Sequence, residues 1–229
     1  MNTDWKIITE HYNNAVEALW CPEKASNWHR DEITGYYNMW NAYYLAMNAD
    51  TKDELTYARI LMMVADSGRF TYSPYERYTR FYQPALEAYN KAKENGQQPT
   101  EKEYDKCVRY TSESKYEMEC EQAPFEEQIK QISGYELLDN FGVFDGRPIL
   151  FEHGLDTAKM KIDYYGKIAT FLFEDVYEIT LRTFDPTTDW ISEFCCYRDF
   201  YINDRLIFDI GSHRIVCTKI SVESIETEQ

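Results

Sequence analysis

A chain of 229 residues, 44% hydrophobic and 16% aromatic, can bury one or two cores without disulfide staples, and that composition excludes disorder over most of its length. Forty acids stand against 24 bases, a formal charge of −16. Such a field repels phosphate backbones, whose neutralisation supplies most nucleic-acid affinity, so no nucleic-acid partner is expected; a basic protein partner is.

Split after Asp145, the chain carries 25 acids and 15 bases, then 15 acids and 9 bases, so the acidity is spread and is not a tail. The start, "MNTDWKIITEHYNN", lacks the basic and apolar stretches of an export signal. No run approaches the ~18 apolar residues of a membrane span. Six cysteines (Cys21, Cys107, Cys120, Cys195, Cys196 and Cys217) show no framework spacing and read as reduced thiols. The expected setting is cytoplasmic, with no membrane partner.

The first half reads as helices. Trp5, Ile8, Tyr12, Val16 and Leu19 share one helical face, and Pro22 closes that run. Trp28, Tyr36, Met39, Trp40, Tyr43 and Met47 form a second stripe, expected to face a core. "TKDE" has the pattern of a capping box, with Thr51 as N-cap and Glu54 reaching back. The helix it opens contains "ARILMMVA" (58–65), apolar all round and so expected to be buried on every side.

"SPYERYTRFYQP" (73–84) has Ser73 as N-cap, Pro74 in the first turn and Glu76 completing a second box. On a 100° wheel Tyr75, Tyr78, Tyr82, Ala85, Leu86 and Tyr89 form a core-facing stripe. Glu76 and Arg80 form a surface pair, and Arg77 and Phe81 fall on a third side. Pro84 frees the carbonyl of Arg80 and is expected to bend the helix. Arg69, Arg77 and Arg80 are a candidate anion-binding island, set against the plainer reading of solvated arginines.

"NGQQPTEKE" links to a third box, Thr100 with Glu103, and a helix over 101–121 with only a weak apolar stripe, expected at the surface. Residues 101–127 hold nine acids and four bases. Glu117, Glu119 and Glu121 make this helix the candidate contact for a basic partner, against a merely solvated face.

From residue 148 the period changes to two. "AKMKIDYY" (158–165) alternates Met160, Ile162 and Tyr164 with Lys159, Lys161 and Asp163. "KIATFLF" and "VYEITLRTF" follow, then the turn cluster "DPTTD" (185–189). "WISEFCCYRDFYI" reads as one long strand, and Asn203-Asp204 and Gly211-Ser212 as two-residue turns. The fold class expected is α+β: an N-terminal α-helical region of about five helices over 1–145, packed with a C-terminal antiparallel meander of five or six strands over 146–229.

Residues 147–179 and 189–225, from "RPILFEHGLDTAKMKIDYYGKIATFLFEDVYEI" to "DWISEFCCYRDFYINDRLIFDIGSHRIVCTKISVESI", resemble the C-terminal β-region of a family of uncharacterised bacterial proteins known as a domain of unknown function. In that family a helical half precedes a strand-rich half. The resemblance implies a bacterial cytoplasmic setting and carries over no catalytic residue.

The sequence has no P-loop, no G-x-G-x-x-G, no nucleophile elbow and no H-E-x-x-H. Its four histidines, His11, His29, His153 and His213, are scattered. Glu152 and His153 point to opposite faces of a strand, so no metal or other cofactor is expected, and His153 enters only as a candidate binding residue. Cys195-Cys196 alternates across a sheet, one thiol inward and one outward. The carboxylate pairs are those that 40 acids produce by chance.

The reading that follows is a non-enzymatic protein that binds a basic partner, of the kind by which an immunity or antitoxin protein neutralises a toxin. The alternatives are a small-molecule binder or hydrolase-type enzyme with a pocket between the helical and β regions, rimmed by tyrosines with Arg77, Arg80 or His153, and a structural subunit of a homo-oligomer. The oligomeric state is not legible.

Overall fold

A computed structural model of the chain describes residues 5–20, 28–68, 71–139, 141–143, 145–180, 191, 194–210 and 213–227. The chain forms two compact units, Met1–Met118 and Glu119–Gln229. Arg69, Cys21 and the turns at 185–189 and 211–212 lie outside the described residues, as does the side chain of His29.

Unit 1 is helical: α1 (Trp5–Trp20), α2 (Trp28–Met47), α3 (Glu54–Ser67), a first turn α4 (Pro74–Glu76) continuing through a π-helical segment (Arg77–Tyr82) into α5 (Gln83–Glu94), and α6 (Glu101–Glu121), whose last turn carries the boundary. Helix α3 is the hub. Eight of its residues, Tyr57, Ala58, Ile60, Leu61, Met62, Met63, Val64 and Ala65, are buried, as a run apolar on every side requires. Its cap is Asp53 and not Thr51: the carboxylate accepts the Thr56 N–H at 3.4 Å and is itself held by Gln97 at 2.9 Å. Asp53 is the stronger acceptor, and choosing it places Glu54 in the first turn, where the helix dipole favours an acid.

The boxes at Ser73 and Thr100 form as expected. Glu76 N–H donates to Ser73 Oγ at 3.2 Å, and Glu103 N–H to Thr100 Oγ1 at 3.3 Å. Between Ser73 and α5 the wheel fails. Gln83 N–H reaches back five residues to the Tyr78 carbonyl. The wider turn precedes Pro84, which has no N–H to give to Arg80. Each residue then advances by less than 100°, so Phe81 and Arg77 enter the core and Tyr75 turns to solvent.

Unit 2 contains α7 (Phe125–Ile129), a 3-10 turn (Tyr135–Leu138) and eight strands: β1 (Arg147–His153), β2 (Thr157–Tyr164), β3 (Lys167–Glu174), β4 (Glu178–Thr180), β5 (Phe194–Arg198), β6 (Leu206–Ile210), β7 (His213–Cys217) and β8 (Lys219–Thr227). They make two antiparallel sheets, β1-β2-β3-β8 and β4-β7-β6-β5, in place of one meander of five or six strands. Phe171 and Phe173 from the first meet Phe208 from the second at centroid distances of 5.7 and 5.0 Å in one core. Ile129, Ile132, Leu138, Phe141 and Val143 join that core, which is why the unit begins near 119 and not at 146.

Local chemistry sets the turns. Tyr165 (φ 49°) and Gly166 (φ 80°) join β2 to β3 in the left-handed region that a two-residue hairpin demands. The expected long strand at 190–202 stops at Arg198. Asp199 Oδ1 accepts the N–H groups of Tyr201 and Ile202 at 2.7 and 2.9 Å, so 199–205 is a loop and not a two-residue turn at Asn203-Asp204.

Candidate functional site

Of the arginine island, Arg69 lies outside the described residues, and Arg77 and Arg80 face different partners. Arg77 is 7% exposed, and its guanidinium donates to Glu117 Oε2 at 2.8 Å. It is neither solvated nor presented to an external anion. Arg80 is exposed and pairs with Glu76 at 3.1 Å, above the ring of Phe81. Each of the two described guanidiniums already faces a carboxylate.

Helix α6 is less of a surface helix than its charge predicts. Thr111, Glu113, Ser114 and Glu117 are buried, and Thr111 Oγ1 donates to the Cys107 carbonyl at 2.8 Å. Glu117, expected to meet a partner, instead ties α6 to the π-helical segment. Glu119 and Glu121 are exposed at the far end, followed by exposed Glu126 and Glu127.

Four of the described thiols, Cys107, Cys195, Cys196 and Cys217, are buried, and Cys120 is half-buried. Cys195 and Cys196 are both buried, because β5 is covered on both faces, so neither projects outward as alternation alone predicts. Burial pushes both thiols well above the ordinary range, with Glu121 and Asp209 adding to the shift at Cys195. Burial likewise raises Cys107 and Cys217 to about 12. A nucleophilic cysteine needs the opposite shift. His153 is exposed on β1, its ring 6.2 Å from that of Phe151. His11 shares a hydrogen bond with Asn38 at 2.7 Å, and His213 is buried. Among the described residues no cluster of three or more His, Cys, Asp or Glu stands in position to hold a metal ion, and no helix is long and apolar enough to cross a membrane. A hollow beside α1 is lined by Trp5, Lys6, Thr9, Glu10, Asn13 and Asn14, all from one helix face, with no residue of another element converging on it.

Helix α2 stands apart from the rest of the surface. Met39, Ala42, Tyr43 and Ala46 turn inward. Ile33 (72% exposed), Tyr37 (66%), Tyr44 and Met47 turn outward on one arc, with Tyr36 beside them. The inward stripe was expected to include Tyr36 and Met47; both are exposed. Ile33 to Met47 spans about 21 Å of helix axis at ~1.5 Å per residue. The seventeen residues from Ile33 to Ala49 carry no charge at all, in a chain that is 28% charged.

The outward rings are fixed from below. Half-buried Trp40 stacks on Tyr44 (5.7 Å, 28°) and meets Tyr43 edge-on (5.7 Å, 82°), and Tyr43 contacts buried Phe81 at 6.0 Å. Asn41 and Asn48 donate to the carbonyls of Tyr37 and Tyr44 at 2.9 and 2.7 Å, spending their donors within the helix. Tyr57 Oη donates to Met47 Sδ at 3.1 Å. Preset aromatic and Met side chains without charge are the composition of an interface centre.

The uncharged run is visible in the sequence. Helical spacing alone assigned its rings to the core, because a helix with aromatics on both faces does not say which face is covered. No family model matches the chain, and no curated protein and no solved structure matches it.

Proposed function

We propose that the protein acts by binding another protein, which docks on the outward face of α2, and that this partner is basic. The observation that carries the reading is the uncharged aromatic face from Ile33 to Met47 on a chain of net charge −16. Apolar rings held in place lose little side-chain freedom on docking, and the surrounding acidity steers a cationic protein toward them. An acidic neutraliser of a basic toxin, as in immunity and antitoxin proteins, has this division of labour. The buried thiols Cys107, Cys195, Cys196 and Cys217 support a reducing, cytoplasmic setting.

The test compares the wild type with Tyr37→Ala/Tyr44→Ala as baits in extract of the source cell. A basic protein retained by the wild type at low salt, and held about tenfold more weakly by the variant, bears the proposal out. Equal retention by both baits, or an acidic partner, refutes it.

A further inference from the structure

We infer that β1 is an open strand-accepting edge, where unit 2 takes up an extended segment of a partner protein that is apolar at its centre and carries Lys or Arg beside it. This inference concerns unit 2 and does not depend on the reading of α2.

Two four-stranded sheets have four edges. An edge is a row of main-chain N–H and C=O groups ready to pair with any extended chain, and folded proteins blunt it. Among the described residues, β8 and β5 are covered and β4 offers a short, acidic edge. Along β8, Ser133 N–H donates to the Ile220 carbonyl at 2.9 Å and the Ser133 carbonyl accepts from Val222 N–H at 2.8 Å; farther along stand Glu223 and Glu226. Along β5, Gln128 Oε1 accepts from Cys196 N–H at 3.0 Å and Gln131 Nε2 donates to the Cys196 carbonyl at 3.1 Å, so two glutamines imitate a neighbouring strand. Strand β4 is described over Glu178–Thr180, beginning with an acid.

Strand β1 is protected only at its start, by Pro148 and the register shift between Pro148 and Leu150. Beyond that no described residue bonds along the edge. Gly154 N–H donates to the Thr157 carbonyl at 2.8 Å, and antiparallel bonding alternates from there. With Glu152 opposite Lys159 and Leu150 opposite Lys161, the main-chain groups of Phe151 and His153 point away from β2. Among the described residues nothing bonds to them.

The side chains name the occupant. Phe151 packs half-buried against the unit 2 core, so an added strand continues that core with apolar residues beside it. Ile149 and Leu150 are exposed, and Leu155 at the hairpin tip is 97% exposed. Over 147–163 the charges balance, Arg147, Lys159 and Lys161 against Glu152, Asp156 and Asp163, with Arg147 held by Asp163 and Lys159 by Glu223, so the pull on a charged segment comes from the unit as a whole. Unit 2 as a whole holds 22 acids and 10 bases, −12 of the total −16. A second copy of the chain would set one −12 unit against another along this edge, whereas a basic segment is drawn to it.

The probe is a short synthetic peptide of alternating Val and Thr flanked by Lys, compared with its Glu-flanked counterpart, each titrated into the full chain and followed by anisotropy and amide hydrogen exchange. The Lys-flanked peptide is expected to bind about tenfold more tightly at low salt and to slow exchange at Phe151 and His153. Leu150→Lys, on an exposed side chain, should weaken it about tenfold with an unchanged circular dichroism spectrum, and Glu152→Lys should reverse the preference between the peptides. Equal affinities, no binding at all, or no protection at Phe151 and His153 would overturn the assignment. So would a dimer of the free chain that Leu150→Lys dissolves, because the occupant would then be a second copy.

Discussion

Replacing Arg77 with Met leaves a buried carboxylate where an ion pair stood. The side chains of Arg77 and Glu117 are 9% and 11% exposed, and their charged atoms are 2.8 Å apart. At an effective dielectric of ~20 the attraction is about 6 kcal/mol, most of it offset by the cost of drying both ions. Removing one partner forfeits the attraction and keeps the other ion's drying cost, a loss of about 3–5 kcal/mol. A domain has only about 5–15 kcal/mol of stability, so unit 1 should lose a large share of its own. The double variant Arg77→Met/Glu117→Leu removes both ions and should recover to within about 1 kcal/mol of the wild type. Trp5, Trp20, Trp28 and Trp40 lie in unit 1 and only Trp190 in unit 2, so urea unfolding followed by tryptophan fluorescence reports mainly on unit 1. A loss under about 1 kcal/mol for Arg77→Met, or a double variant no better than the single one, would refute the reasoning.

The Arg59 guanidinium, 2.6 Å from Glu103, and the Thr100 cap together hold that carboxyl at about 2. Its pKa is lowered on folding, so the pair's stabilisation is complete above the usual carboxylate range and is lost as pH falls toward 2. Arg59→Met should therefore destabilise at pH 7 and match the wild type near pH 2 in urea titrations; a pH-independent difference would contradict this. Asp53→Ala should cost about 1 kcal/mol in thermal melts and Thr51→Ala almost nothing, and the reverse order would restore Thr51 as the cap. In a Cys21→Ser/Cys120→Ser background the remaining thiols should stay unreactive to a disulfide reagent at pH 8 until urea unfolds the chain. Stoichiometric reaction of the native protein would show an accessible thiolate.

What was legible in the sequence was local. The boxes at Ser73 and Thr100 need only an acid three residues on, and the burial of α3 needs only the unbroken apolar run from Ile60 to Ala65. The α+β class follows from the change of period near 148. What was not legible depends on distant partners or on how a turn closes. Arg77 looks solvated on a 100° wheel. Its burial needs the five-residue bond from Gln83 to Tyr78 and a carboxylate forty positions away at Glu117. Alternation marks β3 and β8 as strands but cannot say that they pair, Phe171 with Val222, or that the strands divide into two sheets. Asp199 could have marked the end of β5, since an Asx turn is written in the residue itself. The open edge at β1 could not be read at all, because an edge is defined by what the other strands do.

The two surfaces divide affinity and encounter differently. Charge acts across about 8 Å at physiological ionic strength, so it governs the approach of a partner more than the grip of docked rings. Unit 1 carries −4 from 18 acids and 14 bases, and the α2 face carries nothing, so its hold rests on buried apolar area and should resist salt. Unit 2 carries −12, with Glu152 and Asp156 beside the open strand, so capture at β1 should weaken steeply with salt. Salt therefore tells the two surfaces apart. Tyr37→Ala should speed dissociation of a partner held at α2 at any salt, whereas Glu152→Lys should slow association of a Lys-flanked peptide at β1 most at low salt.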